Sequence, residues 1–319
     1  MPFEGFEIYT TGSKVVSLRT CAVSDVKRRS YLTAAGVGGA LAVAGCLDGD
    51  GGADGPAGPL TLATATTVHD SGLLDVVNGA FESAFGVEMR PVVRGTGGAL
   101  RTARDGDCDV VLVHARSLED QFLRSGHGLN RRALMYNDFL VVGPPSDPAG
   151  AAGDDPLAAL RAIARAGATF YSRGDRSGTN VRELQLWDAA EIDPGGPWYR
   201  ETGQGMGSTL VTAAEGGGYT LTDRGTFLAT AVDGDLAAHV APGLADPPPS
   251  LRNEYAVIPV NPARHDVAYP LAMAYAGYLT GPGRADIDEF RIDGDPAFRA
   301  LGARAEPRFE QYAPTEWRR

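Results

Sequence analysis

The sequence predicts an α/β protein built as two lobes, and three observations carry this. Between residues 60 and 123, apolar strand-like and amphipathic helix-like stretches alternate in a β-α-β-α-β-α rhythm, the pattern of a mostly parallel sheet flanked by helices. Two strongly apolar strands, 139–144 (FLVVGP) and 255–260 (YAVIPV), bracket a second α/β stretch, so the chain is expected to cross to a second lobe and return. A length of 319 residues with 43% hydrophobic and 22% charged side chains supports two cores and rules out a wholly disordered chain.

The elements follow in order. Residues 60–65 alternate as a short strand, and 66–71 form a polar turn. A helix over 72–85 places Leu73, Leu74, Val76, Val77, Ala80, Phe81 and Phe85 on one face, with Asp70 or Ser71 as its N-cap. Then come a strand at 87–94, the turn 95–98, a short helix, a strand at 109–114 and a helix at 118–123. Beyond the strand at 139–144, helices are expected near 157–165 and 179–190 with a strand near 169–172 between them. Two more helices opened by Gly- and Thr-rich turns follow, and the strand at 255–260 precedes a helical C-terminal segment. The expected organisation is lobe 1 at 60–140, lobe 2 at 141–254, and a return to lobe 1 over 255–319.

The first 59 residues read differently. Lys27-Arg28-Arg29 precedes a short Ala/Gly-rich apolar run, 34–44, too short to span a bilayer, and Val43-Ala44-Gly45-Cys46 follows. Paired arginines, a small apolar run and a lipobox-like end make a twin-arginine lipoprotein signal over 1–45, with Cys46 as the lipidated residue. Residues 46–59, a Gly/Asp/Pro tract, form a flexible tether. Cys108, inside the apolar run 108–113, reads as a core residue, and no disulfide framework is available.

Charge narrows the function. The chain carries a net −11, of which residues 1–45 hold +2, leaving −13 on the remainder. That surface repels phosphate backbones, so nucleic acid is excluded as a partner. The only two lysines, Lys14 and Lys27, fall in the leader. The body therefore has no lysine for a P-loop or a Schiff base. Arginine without lysine, beside excess Asp and Glu, fits both a halophile-type proteome and GC-rich coding bias.

Five polar turns are the informative part: 64–71, 95–98, 172–180, 203–209 and 220–226. Each is loaded with Thr, Ser and Gly ahead of an expected helix start. Free main-chain N–H groups at helix starts, plus hydroxyl donors, make an anion cradle. Taken singly, each turn is explained by helix capping. Five in one chain, with Arg173 in the middle one, point to a shared oxyanion site.

Six segments then resemble the tungstate-binding proteins of ABC transporters: TATTVHDSGLLD (64–75), VHA (113–115), NRRALMYNDFLVVGP (130–144), SRGDRSGT (172–179), WYRETGQGM (198–206) and YTLTDRGTFLA (219–229). The resemblance covers nearly all of 60–319. It implies a periplasmic-binding-protein-like type II fold whose lobes close on an oxyanion in the interlobe cleft. It also implies tungstate or molybdate as ligand, an ABC permease and ATPase as partners, and an extracytoplasmic protein, which the lipobox-like end of the leader would hold on the outer face of the membrane through Cys46. Carried over by position, the ligand residues are Thr64, Thr66, Thr67, Thr96, Arg173, Ser177 and Thr179, with no cofactor and tungsten bound only as oxyanion. Ala65 stands where the family has a hydroxyl, Gly98 where glutamine is common, Arg176 for an aspartate and Asn180 for a histidine.

Catalysis is not expected. His69-Asp70-Ser71 are consecutive and cannot adopt triad geometry, and no serine sits in a nucleophile elbow. The five histidines, at 69, 114, 127, 239 and 265, have no zinc-type spacing. His69 and His114 follow apolar runs at strand ends, where either could line the cleft and surface or structural roles are the stronger expectation, and Trp187 and Trp198 read as core. Phosphate or sulfate is the close rival ligand, and a lipid-anchored oxyanion sensor is the rival role. Asp70, Asp175 and Asp223 lie in the candidate loops, where they are expected to orient the loops or hold Arg173 and Arg224.

Overall fold

A computed structural model describes residues 58–230 and 234–301, all within one compact unit. The expected leader, Cys46 and almost all of the tether lie outside the described residues, as do 302–319.

The first lobe is assembled around β1 (Leu60–Ala65), which runs parallel to β2 (Met89–Arg94) on one side and β3 (Val110–Val113) on the other. Between them run α1 (Thr66–Asp70), α2 (Leu73–Phe85) and α3 (Thr96–Asp105), and α4 (Arg116–Arg124) follows β3. Parallel neighbours need such crossovers, because the chain must return to the same end of the sheet. The α2 helix starts at Leu73 with Gly72 as N-cap, at φ 80°, and not with Asp70 or Ser71. Ser71 still contributes, its hydroxyl accepting from the Leu73 N–H at 3.3 Å. The polar turn 66–71 is itself helical, as α1.

The strand β4 (Arg132–Gly143) is twice the expected length, and it joins the lobes. Residues 132–138 pair antiparallel with β9 (Arg252–Pro259). From Phe139 onward the partners are β7 (Thr220–Asp223) and β8 (Ala237–Val240), also antiparallel. The crossing therefore falls between Asp138, opposite Arg252, and Phe139, opposite Asp223. Leu251 packs in the second-lobe core and Tyr255 in the first, so the return crossing lies beside the outward one.

The second lobe adds α5 (Pro156–Ala166), β5 (Phe170–Ser172), α6 (Gly178–Ala189), β6 (Tyr199–Glu201), α7 (Met206–Glu215) and α8 (Arg224–Ala229). After β9 come α9 (Tyr269–Thr280), α10 (Arg284–Glu289), a small β10/β11 ladder (Arg291–Ile292 and Asp295–Pro296) and β12 (Arg299–Ala300), which pairs with β4.

The two-lobed α/β class holds, but the sheets are mixed where mostly parallel ones were expected. β1–β2, β1–β3 and β5–β6 are parallel, whereas β3–β9 and every pairing of β4 are antiparallel. The reason lies in the connections. Strands that carry the chain between lobes are not joined to their neighbours by helical crossovers, so they run against them.

Both faces of the central strands are buried, and residues alternate between two cores. Leu60 and Leu62 of β1, Val110 and Leu112 of β3, and Tyr255 and Val257 of β9 pack with Phe81, Tyr275 and Phe298. Their neighbours Ala63, Val111, Val113, Ala256 and Ile258 pack with Phe122, Leu123 and Cys108 on the opposite face. β4 repeats this in the second lobe, with Phe139 and Val141 against Trp187, Phe170 and Tyr219, and Leu140 and Val142 against Met206 and Leu210. Burial on both faces explains why these strands read as continuous apolar runs. Cys108 is buried as expected, and burial pushes its thiol up to about 12. Trp187 is buried, and Trp198 packs against it.

Candidate functional site

Three strand-to-helix junctions supply the site. β1 runs directly into α1, whose N-cap is Ala65, a residue with no side chain able to cap. β2 runs through Gly95 into α3, again without a side-chain cap. β5 ends at Ser172 and leads through Arg173–Ser177 into α6. Two of these three helix starts thus lack a side-chain partner for their first N–H groups, which is what a helix N-terminus offers to an anion.

The junctions meet. A methyl group at Gly95 would lie 3.5 Å from Asp175 Oδ2 and from Ser177 Cβ, and one at Gly97 would lie 3.4 Å from the Arg176 carbonyl oxygen. The turn before α3 in the first lobe therefore rests on the turn before α6 in the second. Arg173 reaches the α1 junction, donating from Nη2 to Thr66 Oγ1 at 3.4 Å. Gly178 at the start of α6 lies so close to the His114 ring that a Cβ there would be 2.6 Å from Cε1.

Arg173 is 2% exposed and makes a 2.7 Å ion pair to Asp175 Oδ2 through the same Nη2. Among the described residues, its Nε and Nη1 have no partner, and neither do the buried hydroxyls of Thr64, Thr96 and Thr179. Ser177 caps α6, accepting from the Asn180 N–H at 3.3 Å. Thr67 is buried with its hydroxyl engaged, 3.3 Å from His114 Nε2 and accepting from Tyr255 Oη at 3.4 Å. A buried polar group without a partner costs about 1–3 kcal/mol, and more when charged. Five such atoms on four residues lie at these three junctions, and all five can donate to a molecule made of acceptors.

Two of the nearby carboxylates, Asp175 and Asp223, are engaged in hydrogen bonds. Asp175 accepts from Arg173 and from the Ser177 N–H. Asp223 caps α8, accepting from the Thr226 N–H and hydroxyl and from Asn137 Nδ2. Burial raises its pKa. Asp70 is exposed at the end of α1; partial burial raises its pKa, against the lowering influence of His69 and Arg173. Arg224 is held by Asp138, through bonds of 2.6 and 2.7 Å, and not by Asp223. Asp138 is the stronger partner because it lies on β4 directly beneath α8, while both Asp223 oxygens are consumed by the helix start.

The remaining two turns do not share this character. Thr209 bonds Thr202 at 2.9 Å, and Thr220, Thr222 and Thr226 bond to Tyr171, Asp223 and Asp223 within the second lobe. Of the five Thr/Ser/Gly turns, 64–71, 95–98 and 172–180 carry the unpartnered donors, while α7 and α8, which open from the other two, also pack on α1. His69 is exposed, and His114 is buried between Thr67 and Asn253.

Residues not singled out from sequence form a layer behind the site. Glu183 accepts from Ser172 Oγ at 2.8 Å and Tyr199 Oη at 2.6 Å, and burial pushes its pKa up to about 7. Asn137 and Asn253 bond each other at 2.8 Å where β4 and β9 cross between lobes. The sequence signal for the first was a polar Asn137-Asp138 pair inside an otherwise apolar strand.

Two α/β lobes joined by two adjacent crossing strands, with orphaned donors where the lobes touch, define a ligand-binding protein of the periplasmic-binding class. The chain belongs to the PBP superfamily, whose domain model matches residues 50–282. A candidate ABC transporter anion-binding protein of Haloferax volcanii is 49% identical over 311 residues, covering 92% of this chain and 91% of its own. The tungstate-binding protein TupA of Peptoclostridium acidaminophilum is 42% identical over 212 residues, 66% of this chain and 72% of that one. Among solved structures, the tungstate ABC transporter protein of Geobacter sulfurreducens is 45% identical, with a TM-score of 0.67, over 73% of this chain and 98% of that chain. These relatives are named for binding and transport, not for catalysis. Among the described residues, no helix is long and apolar enough to cross a membrane.

Proposed function

We propose that this protein captures tungstate outside the cytoplasm and delivers it to the permease and ATPase of an ABC importer. The observation that carries the reading is the set of orphaned buried donors on Thr64, Thr96, Thr179 and Arg173. A tetrahedral dianion presents four acceptor oxygens and nothing else. Thr66, Thr67 and Ser177, with the first-turn N–H groups of α1, α3 and α6, complete the cage, and Arg173 supplies the fixed positive charge. Relatives named for tungstate at 42% and 45% identity support that choice of oxyanion.

Hydrogen phosphate fits less well. It keeps a proton that needs an acceptor, and the carboxylates of Asp175 and Asp223 already accept from Arg173, Ser177, Thr226 and Asn137, with room left for no more than a shared bond. Molybdate shares the charge and shape of tungstate and is a second ligand of the same cage. The lobes are taken as 60–140, 141–254 and 255–319, with Arg173 of the second reaching Thr66 of the first as they close. The lipobox 43–46 and the tether 46–59 support anchoring through Cys46, so Cys46→Ser should move the protein from membranes to the soluble fraction; unchanged membrane retention contradicts the anchor.

Calorimetric titration with tungstate, molybdate, sulfate and phosphate tests the ligand. One tungstate per chain, bound far more tightly than sulfate or phosphate, is expected. Preference for phosphate, or no binding of any of the four, overturns the assignment.

A further inference from the structure

A chain of buried polar groups runs from the α8 N-cap in the second lobe to α1 in the first, through both crossing strands. Asp223, Asn137, Asn253, His114, Tyr255 and Thr67 are all at most 5% exposed. Every amide and proton in this chain has its direction fixed by the one before it. The Asp223 carboxylate accepts from the Thr226 N–H and hydroxyl at 3.1 and 2.7 Å, so Asn137 must turn its Nδ2 toward Asp223 Oδ2, 3.1 Å away. Asn137 then shows its Oδ1 to Asn253, whose Nδ2 donates to it and to Tyr255 Oη, both at 2.8 Å. Asn253 Oδ1 is left facing His114 Nδ1 at 2.8 Å and can only accept. His114 is neutral, since burial pushes its pKa down to about 4. Its proton is therefore on Nδ1, and Nε2 is a bare acceptor 3.3 Å from Thr67 Oγ1. Tyr255, having accepted from Asn253, donates its own proton to Thr67.

We infer that Asp223 acts through this relay as a positioning residue for the anion cradle, turning the Thr67 hydroxyl hydrogen into His114 and away from the ligand. This deepens the oxyanion reading and rests on it for its functional half. Thr67 then keeps its hydroxyl hydrogen on His114, whereas the hydroxyls of Thr64, Thr96 and Thr179 have no partner among the described residues. If every dipole in the chain reversed, the Thr67 hydroxyl would be released to the site. Reversal requires the Asp223 position to donate a hydrogen bond to Asn137, which the ionised carboxylate cannot do; the direction of the relay is therefore that of ionised Asp223, the form held by the donors from Thr226 and Asn137 against the burial that raises its pKa.

Nitrogen-15 NMR of histidine-labelled protein reads the relay directly, with and without tungstate. His114 should show a protonated Nδ1 and an unprotonated, hydrogen-bonded Nε2, unchanged by the ligand. Asp223→Asn keeps an equally good N-cap but can donate, so it should shift His114 toward the Nε2-protonated form. A brace with no relay would leave the tautomer unmoved. By calorimetry, Thr67→Val should weaken tungstate binding several-fold less than Thr96→Val, because only the latter removes a hydroxyl donated to the ligand. An Nε2-protonated His114 in the wild type, or equal losses for the two valine variants, overturns the inference. Failure of the wild type to bind tungstate would instead remove the cradle, and with it any positioning role, whatever the tautomer proved to be.

Discussion

Arg173 is where charge and burial meet most sharply. Nη2 is spent on Asp175 and Thr66, and two nitrogens remain without partners at 2% exposure. Hydrogen bonds to charged groups contribute about 1.5–3 kcal/mol each, so Arg173→Ala should weaken tungstate binding on the order of tenfold to a hundredfold or more. Arg173→Lys should recover only part of this, because a point charge does not reproduce two parallel donors. The Tm of the ligand-free protein should stay nearly constant. Titrations and thermal melts on both variants check this, and a large fall in Tm with unchanged affinity would make Arg173 a loop brace. Glu183 behaves oppositely to a paired surface acid. Burial holds its folded pKa at about 7, above the ordinary glutamate value of 4.5, despite bonds from Tyr199, Ser172 and Trp187. The folded state therefore binds the extra proton between those values, and stability should fall as pH rises from about 4.5 to 7, by on the order of 3 kcal/mol. Glu183→Gln should flatten that slope in denaturant titrations at pH 5 and pH 8; an unchanged slope would assign it to another group. Arg173 was legible in the sequence because an arginine among Ser, Gly and Asp at a helix start has few structural uses. Glu183 was not, because nothing local distinguishes a buried glutamate from an exposed one on the helical pattern of α6.

At the level of elements, the candidate site draws on three helix starts, and glycine sets how closely two of them approach. Gly178 sits against the His114 ring, at a distance where any Cβ would clash with Cε1, Nδ1 and Nε2. His114 follows β3 in the first lobe and Gly178 opens α6 in the second, so the contact exists only when the lobes touch. Overpacking costs about 1–3 kcal/mol. For Gly178→Ala that cost should fall on tungstate affinity, by roughly fivefold to a hundredfold, with little change in the ligand-free Tm. If the lobes were permanently fused, the Tm would fall instead. Most helices and strands were readable from apolar periodicity, but the direction of pairing was not. A run such as FLVV around Phe139 is buried on both faces whether its neighbours are parallel or antiparallel. Likewise, β6 and β8 are too short, and too partly buried, to carry a pattern. Two of the five polar turns also proved to spend their hydroxyls inside the second lobe, a distinction set by tertiary neighbours and not by composition.

Among the described residues, the chain crosses between the lobes at Asp138–Phe139 within β4 and at Leu251–Arg252 at the start of β9, adjacent crossings suited to hinge motion. Small-angle scattering should show a smaller radius of gyration with saturating tungstate than without, and an identical profile would make the protein a static scaffold. The two-lobed layout was legible because two apolar strands bracket a complete α/β stretch, whereas the contact between the 95–98 and 172–179 turns emerges only from the folded chain. One oxyanion is expected to satisfy the orphaned donors where those turns meet. A crystal of the tungstate complex, read at the tungsten absorption edge, should show a single anomalous peak whose oxygens lie within hydrogen-bond distance of Thr64, Thr96 and Thr179 and of Nε and Nη1 of Arg173. A peak elsewhere, or donors still unpaired in the complex, would contradict it.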